Sequence, residues 1–129
     1  MEEMLAGGSC HALGEALDFK NDPMQTVFKQ GCISFTLDEL VSARAIPVPK
    51  HIKIDIDGFE PKVIAGARTT LGNSVVRSVL IELNVNRSDH RAIVPELQGF
   101  GFRYDPDQVR RAMRTDGPFK ENAEHVFRR

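Results

Sequence analysis

The sequence predicts an α/β fold built on a mostly parallel sheet. Strand-like and helix-like segments alternate along the chain, and such alternation favours parallel strands joined by helical crossovers. Residues 75–83 form a β-branched run that is apolar on both faces near its end, which is typical of strands buried between two helical layers. Helix start and stop signals fall between the strand-like runs. We therefore expect helices on both faces of the sheet.

Regular elements are predicted from residue 32 onward. A short β-type run at residues 32–35 precedes a helix that begins at Leu37. Thr36 and Glu39 have the spacing of a capping box, in which each side chain bonds the backbone N–H of the other residue. A strand follows at residues 51–55, where apolar residues alternate with polar ones.

The second half of the chain continues the alternation. Pro61 suits the first turn of a helix, where its missing N–H costs nothing, and Gly72-Asn73 supplies the stop. The remaining predicted elements, in chain order, are a strand at residues 75–83, a helix capped by Asp89, a short strand at 102–104, a loop or frayed helix at 108–119 and a last strand at 122–127.

The composition limits the class of protein. The 129 residues suit one domain or part of one, and residues 1–30 carry only weak patterning. A net charge of −1 gives no electrostatic reason to expect nucleic acid or an anionic membrane as partner. No apolar run approaches the roughly 20 residues that span a bilayer. The cysteines, Cys10 and Cys32, lack metal-ligand spacing and are expected to be free thiols, so we predict a cytoplasmic enzyme-like domain.

The run of residues 51–60 is the strongest functional signal. Its strand ends in Asp55 and Asp57, and Glu60 follows within three residues. Ligands of parallel α/β sheets bind at the carboxyl ends of the strands. Three carboxylates crowded together also require a compensating cation, cofactor charge or proton. The sequence therefore predicts a reaction site at this end of the strand.

Four motifs in one order extend this interpretation: residues 36–40 (TLDEL), 52–60 (IKIDIDGFE), 63–67 (VIAGA) and 79–83 (VLIEL). Together they resemble the FkbM-type methyltransferases. These are S-adenosylmethionine-dependent enzymes with a Rossmann-like fold, and most are O-methyltransferases. The resemblance covers about residues 30–129, including the family's closing antiparallel hairpin at residues 99–102 and 122–127.

The resemblance implies the fold more closely, as the C-terminal half of a doubly wound, mostly parallel sheet that ends in an antiparallel hairpin. The family's first strand and its glycine-rich cofactor loop have no counterpart here, so residues 31–129 are expected to be the C-terminal part of a truncated methyltransferase domain. The strand at residues 51–55 would then expose an apolar edge, which natural proteins avoid. A missing N-terminal half or a homo-oligomer is expected to cover it.

The resemblance also implies roles for individual residues. Asp55 and Asp57 are predicted to be catalytic, because a carboxylate can accept the proton of a hydroxyl acceptor as the methyl group is transferred. Asp55 is also expected to bind S-adenosylmethionine, whose sulfonium favours a nearby negative charge. Glu60, Glu82 and Asn84 are predicted to bind the small-molecule hydroxyl substrate. Helix capping competes with these roles for Asp57 and Glu60.

Two other functions stay open at this point. Asp55-Ile56-Asp57 also matches the D-x-D element with which glycosyltransferases hold a divalent cation and a nucleotide sugar. The exposed strand edge is equally compatible with a non-catalytic remnant, or with a half domain that depends on a partner.

Overall fold

The computed structural model describes Pro23, Gln25, residues 30–56 and residues 58–129, so most of the weakly patterned segment 1–30 lies outside it. In this part of the chain, three strands form one mixed sheet in the order β1-β2-β3. The elements are α1 (Leu37–Ser42), β1 (His51–Ile54), α2 (Glu60–Ala65), α3 (Arg68–Gly72), β2 (Ser78–Asn84), α4 (Ser88–Gly99), α5 (Pro106–Ala112) and β3 (Asn122–Arg128). The α/β class is confirmed.

One face of the sheet forms the hydrophobic core. β1 pairs parallel with β2, with Ile54 opposite Ile81, and β2 pairs antiparallel with β3, with Val79 opposite Phe127. Side chains alternate across a strand, so these residues share one face and all four are buried. The apolar stripes of α2, α3 and α4 pack against them and contribute Ile64, Leu71, Ile93 and Leu97, and Ala67, between α2 and α3, joins them.

The opposite face of the sheet is more polar than predicted. β2 alternates between fully buried and half-buried residues, and Leu80, Glu82 and Asn84 occupy its half-buried side. Lys53 and Glu124 extend this face on the neighbouring strands, and both are exposed. The described residues therefore form a mixed sheet with one apolar core face. The doubly wound arrangement, with helices on both faces, stays a prediction.

The local signals before α1 behave as predicted. Thr36 Oγ1 accepts the N–H of Glu39 at 3.1 Å, and Glu39 Oε2 accepts the N–H of Thr36 at 2.7 Å. The capping box is therefore complete, and α1 begins at Leu37. The helix predicted after Pro61 divides at Gly66 into α2 and α3. A Cβ on Gly66 would lie 2.8 Å from Thr36 Cγ2, so the break lies against the N-cap of α1.

Several predicted boundaries are wrong. Residues 32–35 form no strand, and Ile33 and Phe35 are exposed, because no neighbouring strand pairs with them in the described part of the chain. The long strand begins at Ser78 rather than at residue 75. α4 begins one residue before Asp89, which pairs with Arg87 instead of capping the helix.

The closing segment also differs from the prediction. Residues 102–104 contribute a single antiparallel bridge, between Arg103 and Arg128. The start of the predicted loop or frayed helix at residues 108–119 belongs to the regular helix α5, which begins two residues earlier and is capped by Asp105, whose side chain accepts the N–H of Asp107 at 2.9 Å. β3 runs antiparallel as expected, but its main partner is β2.

Cys32 is a free, exposed thiol, as predicted, whereas Cys10 lies outside the described residues. Among the helices described, none is long and apolar enough to cross a bilayer.

Candidate functional site

A cleft of about 410 Å³ opens where the loop after β1, the end of β2 and the start of β3 meet. Its size is within the usual range of small-molecule sites. Glu60 lines it from the first turn of α2, His90 from the first turn of α4, and Asn84 and Asn122 from the two strands. The cleft thus lies at the carboxyl end of β2, where parallel sheets place their ligands.

Gly58 turns the chain from β1 into α2. Its φ of 105° is one that residues with a side chain rarely adopt, so glycine is needed at this turn. The turn directs the N–H of Gly58 to Glu60 Oε1 at 3.3 Å and brings the Glu60 carboxylate into the protein. Glu60 is 3% exposed, on the same face of α2 as buried Ile64.

Glu60 faces a buried histidine across the inner end of the cleft. Glu60 Oε2 and His90 Nε2 lie 3.3 Å apart, and both side chains are almost completely buried. Burial raises the pKa of Glu60, but the neighbouring His90 imidazole and the backbone N–H groups that Glu60 accepts outweigh burial, so the pKa falls below its ordinary value. Glu60 is therefore a carboxylate at neutral pH.

Asn84 connects this pair to the open part of the cleft. Its backbone N–H donates to His90 Nδ1 at 3.0 Å, and its side-chain Nδ2 donates to Asn122 Oδ1 at 2.8 Å. Asn122 Nδ2 in turn donates to Glu82 Oε2 at 2.9 Å. These bonds form one chain of polar groups across β2 and β3.

The outer part of the cleft is charged. Arg114, which follows α5, pairs with Glu82 Oε1 at 2.9 Å, and its guanidinium lies over the Phe119 ring. Asn86 Nδ2 donates to Glu121 at very short range. Carboxylates, amides and an aromatic ring thus line the same opening, and this donor set suits a small polar ligand.

Three of the residues predicted to form the site lie together in this cleft. Glu60, Glu82 and Asn84 all line it, and their substrate-binding roles stay predictions. Asp55 lies outside the lining. Its side chain is 52% exposed and pairs with Lys53 at 3.0 Å, so its catalytic and cofactor roles also stay predictions. Asp57 lies outside the described residues.

Asp55 nevertheless lies close to the cleft along the sheet. Ile54 pairs with Ile81, so Asp55 and Glu82 are the next residues on two neighbouring strands. The pKa of Lys53 is raised, mainly by the hydrogen bond and charge of Asp55 and to a smaller extent by Glu124 and Glu82. The carboxylates of these residues therefore share one face of the sheet.

His90 and Asn122 are site residues that the sequence reasoning missed. His90 precedes Ile93 by three residues and Leu97 by seven, so it continues the buried stripe of α4, and this spacing could have identified it. Asn122 reaches the cleft through the antiparallel pairing of β3 with β2, opposite Asn84, which no local pattern predicts.

Asp38 does not line the cleft but caps the helix α3. It accepts the N–H groups of Thr69 and Thr70, in the first turn of α3, at 2.9 and 2.7 Å. The described residues contain no group of three or more histidine, cysteine or acidic side chains arranged to hold a metal ion.

Comparison with known proteins agrees with the resemblance found in the motifs. The methyltransferase FkbM domain model matches residues 18–104, which is more than half of the chain. No curated protein and no solved structure matches the chain. None of these comparisons supports the alternative glycosyltransferase function. The match includes β1, β2 and most of the residues around the cleft, and the chain belongs to the FkbM methyltransferase domain family.

Proposed function

We propose that this chain forms part of an S-adenosylmethionine-dependent methyltransferase that transfers a methyl group to a hydroxyl, and that the cleft binds the acceptor. The observation that carries the proposal is the position of Glu82 and Asn84. They end β2 inside a small-molecule-sized cleft, beside the end of β1, in a chain of a methyltransferase family.

The chain of polar groups in the cleft suits a hydroxyl ligand. Glu82 uses one lone pair of each oxygen for Arg114 and Asn122, and Asn84 Nδ2 uses one of its two hydrogens for Asn122. Acceptors and a donor therefore remain side by side. A hydroxyl group both donates and accepts hydrogen bonds, so a hydroxyl substrate can pair with the free lone pairs of Glu82 and with the free hydrogen of Asn84 Nδ2. An apolar substrate would leave these groups unpaired.

Asp55 fits the cofactor by its exposure and charge. Its carboxylate is accessible, and its ion-pair partner is the exposed Lys53. An accessible carboxylate at the end of β1 favours a cationic group such as a sulfonium. When bound, S-adenosylmethionine supplies an electrophilic methyl group. Asp55, together with Asp57, is proposed to accept the proton that the acceptor hydroxyl loses.

The proposal includes a second wall for the cofactor site. Within the described residues β1 pairs with β2 on one side and with no strand on the other. An unpaired edge invites a further strand. We propose that a strand from an N-terminal half of the domain, or from a second copy, pairs with this edge.

Methyl transfer from isotopically labelled S-adenosylmethionine to a panel of hydroxyl compounds tests this function. Asp55→Asn should reduce turnover by about 10²–10⁴-fold, the usual contribution of a general base. Glu82→Gln should raise the KM for the acceptor. Glu124→Gln is the matched control, because Glu124 lies opposite Glu82 on β3 but outside the cleft lining.

The proposal fails if neither binding of S-adenosylmethionine nor methyl transfer is detected with the chain alone and with its proposed second half supplied. It also fails if Glu124→Gln reduces acceptor binding as strongly as Glu82→Gln does.

A further inference from the structure

Hydrogen bonds join the buried pair Glu60–His90 to two residues that line the cleft, Gly58 and Asn84. Glu60 Oε2 and His90 Nε2 lie 3.3 Å apart, off the line of a well-directed hydrogen bond, and neither atom has another partner in the described part of the chain. Burying a carboxylate against an imidazole is costly, and an apolar pair of similar volume is often as stable. The pair therefore calls for an explanation beyond stability.

The hydrogen bonds around the imidazole fix its tautomer. Asn84 N–H donates to His90 Nδ1, so Nδ1 is the acceptor and carries no proton. The imidazole proton therefore lies on Nε2, which contacts Glu60 Oε2 at 3.3 Å without a well-directed hydrogen bond. Glu60 Oε1 accepts the N–H of Gly58 at 3.3 Å. Four groups thus follow one another in one line of contacts: Asn84 N–H, the imidazole, the carboxylate and Gly58 N–H.

This line joins the segments that form the cleft. Gly58 belongs to the turn after β1, Glu60 to the start of α2, His90 to the start of α4, and Asn84 to the end of β2. The side chain of Asn84 continues the line through Asn122 to Glu82, where the acceptor is proposed to bind. A shift of the imidazole would therefore move the backbone that carries Asn84.

We propose that His90 is a positioning residue: its neutral imidazole holds the end of β2 against the turn after β1, and so fixes Asn84, Asn122 and Glu82 for ligand binding. The binding consequence rests on the proposed function. The positioning itself does not, because it concerns bonds within the protein.

Three substitutions separate positioning from packing. His90→Asn keeps an acceptor where Nδ1 lies and loses the group that faces Glu60. His90→Gln keeps a donor that reaches Glu60 and loses the acceptor for Asn84 N–H. His90→Phe fills the volume and loses both. His125→Phe is the matched control, since His125 is buried to the same degree but its Nδ1 bonds the carbonyl of Ala123, and neither residue lines the cleft.

The first readout is nuclear magnetic resonance of the full chain. In the wild type, the His90 imidazole should carry its proton on Nε2. The side-chain amide resonances of Asn84 and Asn122 should shift in His90→Gln and His90→Phe and stay in place in His125→Phe, whereas His90→Asn, which loses the group that faces Glu60, should shift the backbone amide resonance of Gly58. The wild-type tautomer needs no variant, so the proposal can be tested even if His90→Phe does not fold.

The second readout is affinity for S-adenosylhomocysteine and for any acceptor that the methyl-transfer assay identifies. His90→Gln should weaken acceptor binding by about tenfold, the effect of one lost buried hydrogen bond. A proton on Nδ1, or unchanged Asn84 and Asn122 amide resonances in His90→Phe, would overturn the positioning role. If the wild type bound neither compound while the resonances moved as expected, the methyltransferase function would fail and the positioning role would stand.

Discussion

Asp38 and Thr70 join the first helix to the third. Asp38 Oδ1 accepts hydrogen bonds from both the backbone N–H and the hydroxyl of Thr70, each at 2.7 Å. Ala67, at the N-cap of α3, has no side chain that can cap the helix, so Asp38 supplies the cap from 32 residues away. Capping thereby becomes a tertiary contact that fixes α1 beside the helices under the sheet.

Removing this contact should destabilise the domain. We expect Asp38→Ala to lower the free energy of unfolding by about 1–2 kcal/mol, the usual cost of a lost cap. Urea denaturation measures the loss as a lower midpoint at an unchanged slope. Asp116→Ala, at an exposed acid in the loop before β3, should leave the midpoint nearly unchanged. Equal effects of the two substitutions would show that Asp38 contributes only its charge.

Gly66 provides a second test of the same packing. A Cβ at position 66 would lie 2.8 and 2.9 Å from the Cγ2 and Cβ atoms of Thr36, which is closer than real Cβ contacts allow. Gly66→Ala should therefore displace the capping box and lower the free energy of unfolding by about 1–3 kcal/mol. Thermal denaturation measures the loss.

Gly99→Ala is the control for Gly66→Ala. Gly99 also ends a helix, but a Cβ there meets nothing within 4 Å, so alanine should be neutral or slightly stabilising. A destabilisation of both variants would mean that the helix ends, rather than the contact with Thr36, require glycine.

His125 should make stability depend on pH. It is 4% exposed and packs against Tyr104 and Phe127. Burial lowers its pKa below 6.5, while the hydrogen bond to the Ala123 carbonyl opposes this shift only in part. Between the lowered pKa and 6.5, His125 binds a proton in the unfolded chain but stays neutral in the folded chain. The contribution of His125 to the free energy of unfolding is therefore fully present above pH 6.5 and decreases as pH falls towards the lowered pKa of the folded chain.

Urea denaturation at a series of pH values around 6.5 measures this dependence. His125→Phe should flatten the decrease in that window, and His51→Phe, at an exposed position, should keep it. A wild-type stability that stays constant, or rises, as pH falls through the window would contradict the account.

Local signals carried most of the fold that could be predicted from sequence. The capping box needs only Thr36 and Glu39, three residues apart, and it begins α1 where expected. The alternation at Ile52 and Ile54 likewise predicts β1, because one face of a strand is buried. Such patterns depend on neighbours along the chain, so sequence is sufficient to identify them.

Contacts between distant segments explain the misses. Gly66, where the predicted helix breaks, lies against Thr36, and the position of Asn122 depends on pairing with Asn84, 38 residues away. Residues 32–35 have β-type composition but find no partner strand among the described residues. The acids after β1 predicted a site at the end of the sheet where the cleft opens, whereas the polar network there centres on Glu82, Asn84 and His90.

The most direct test of the central claim is the titration of ¹⁵N-labelled chain with S-adenosylhomocysteine, followed by backbone and side-chain amide resonances. The account predicts shifts at Gly58, Asn84 and Asn86, around the cleft, and none on α5 or at exposed Gly99, at the far end of α4 from His90. Saturable shifts confined to another surface would contradict a cofactor and acceptor site at the carboxyl ends of β1 and β2.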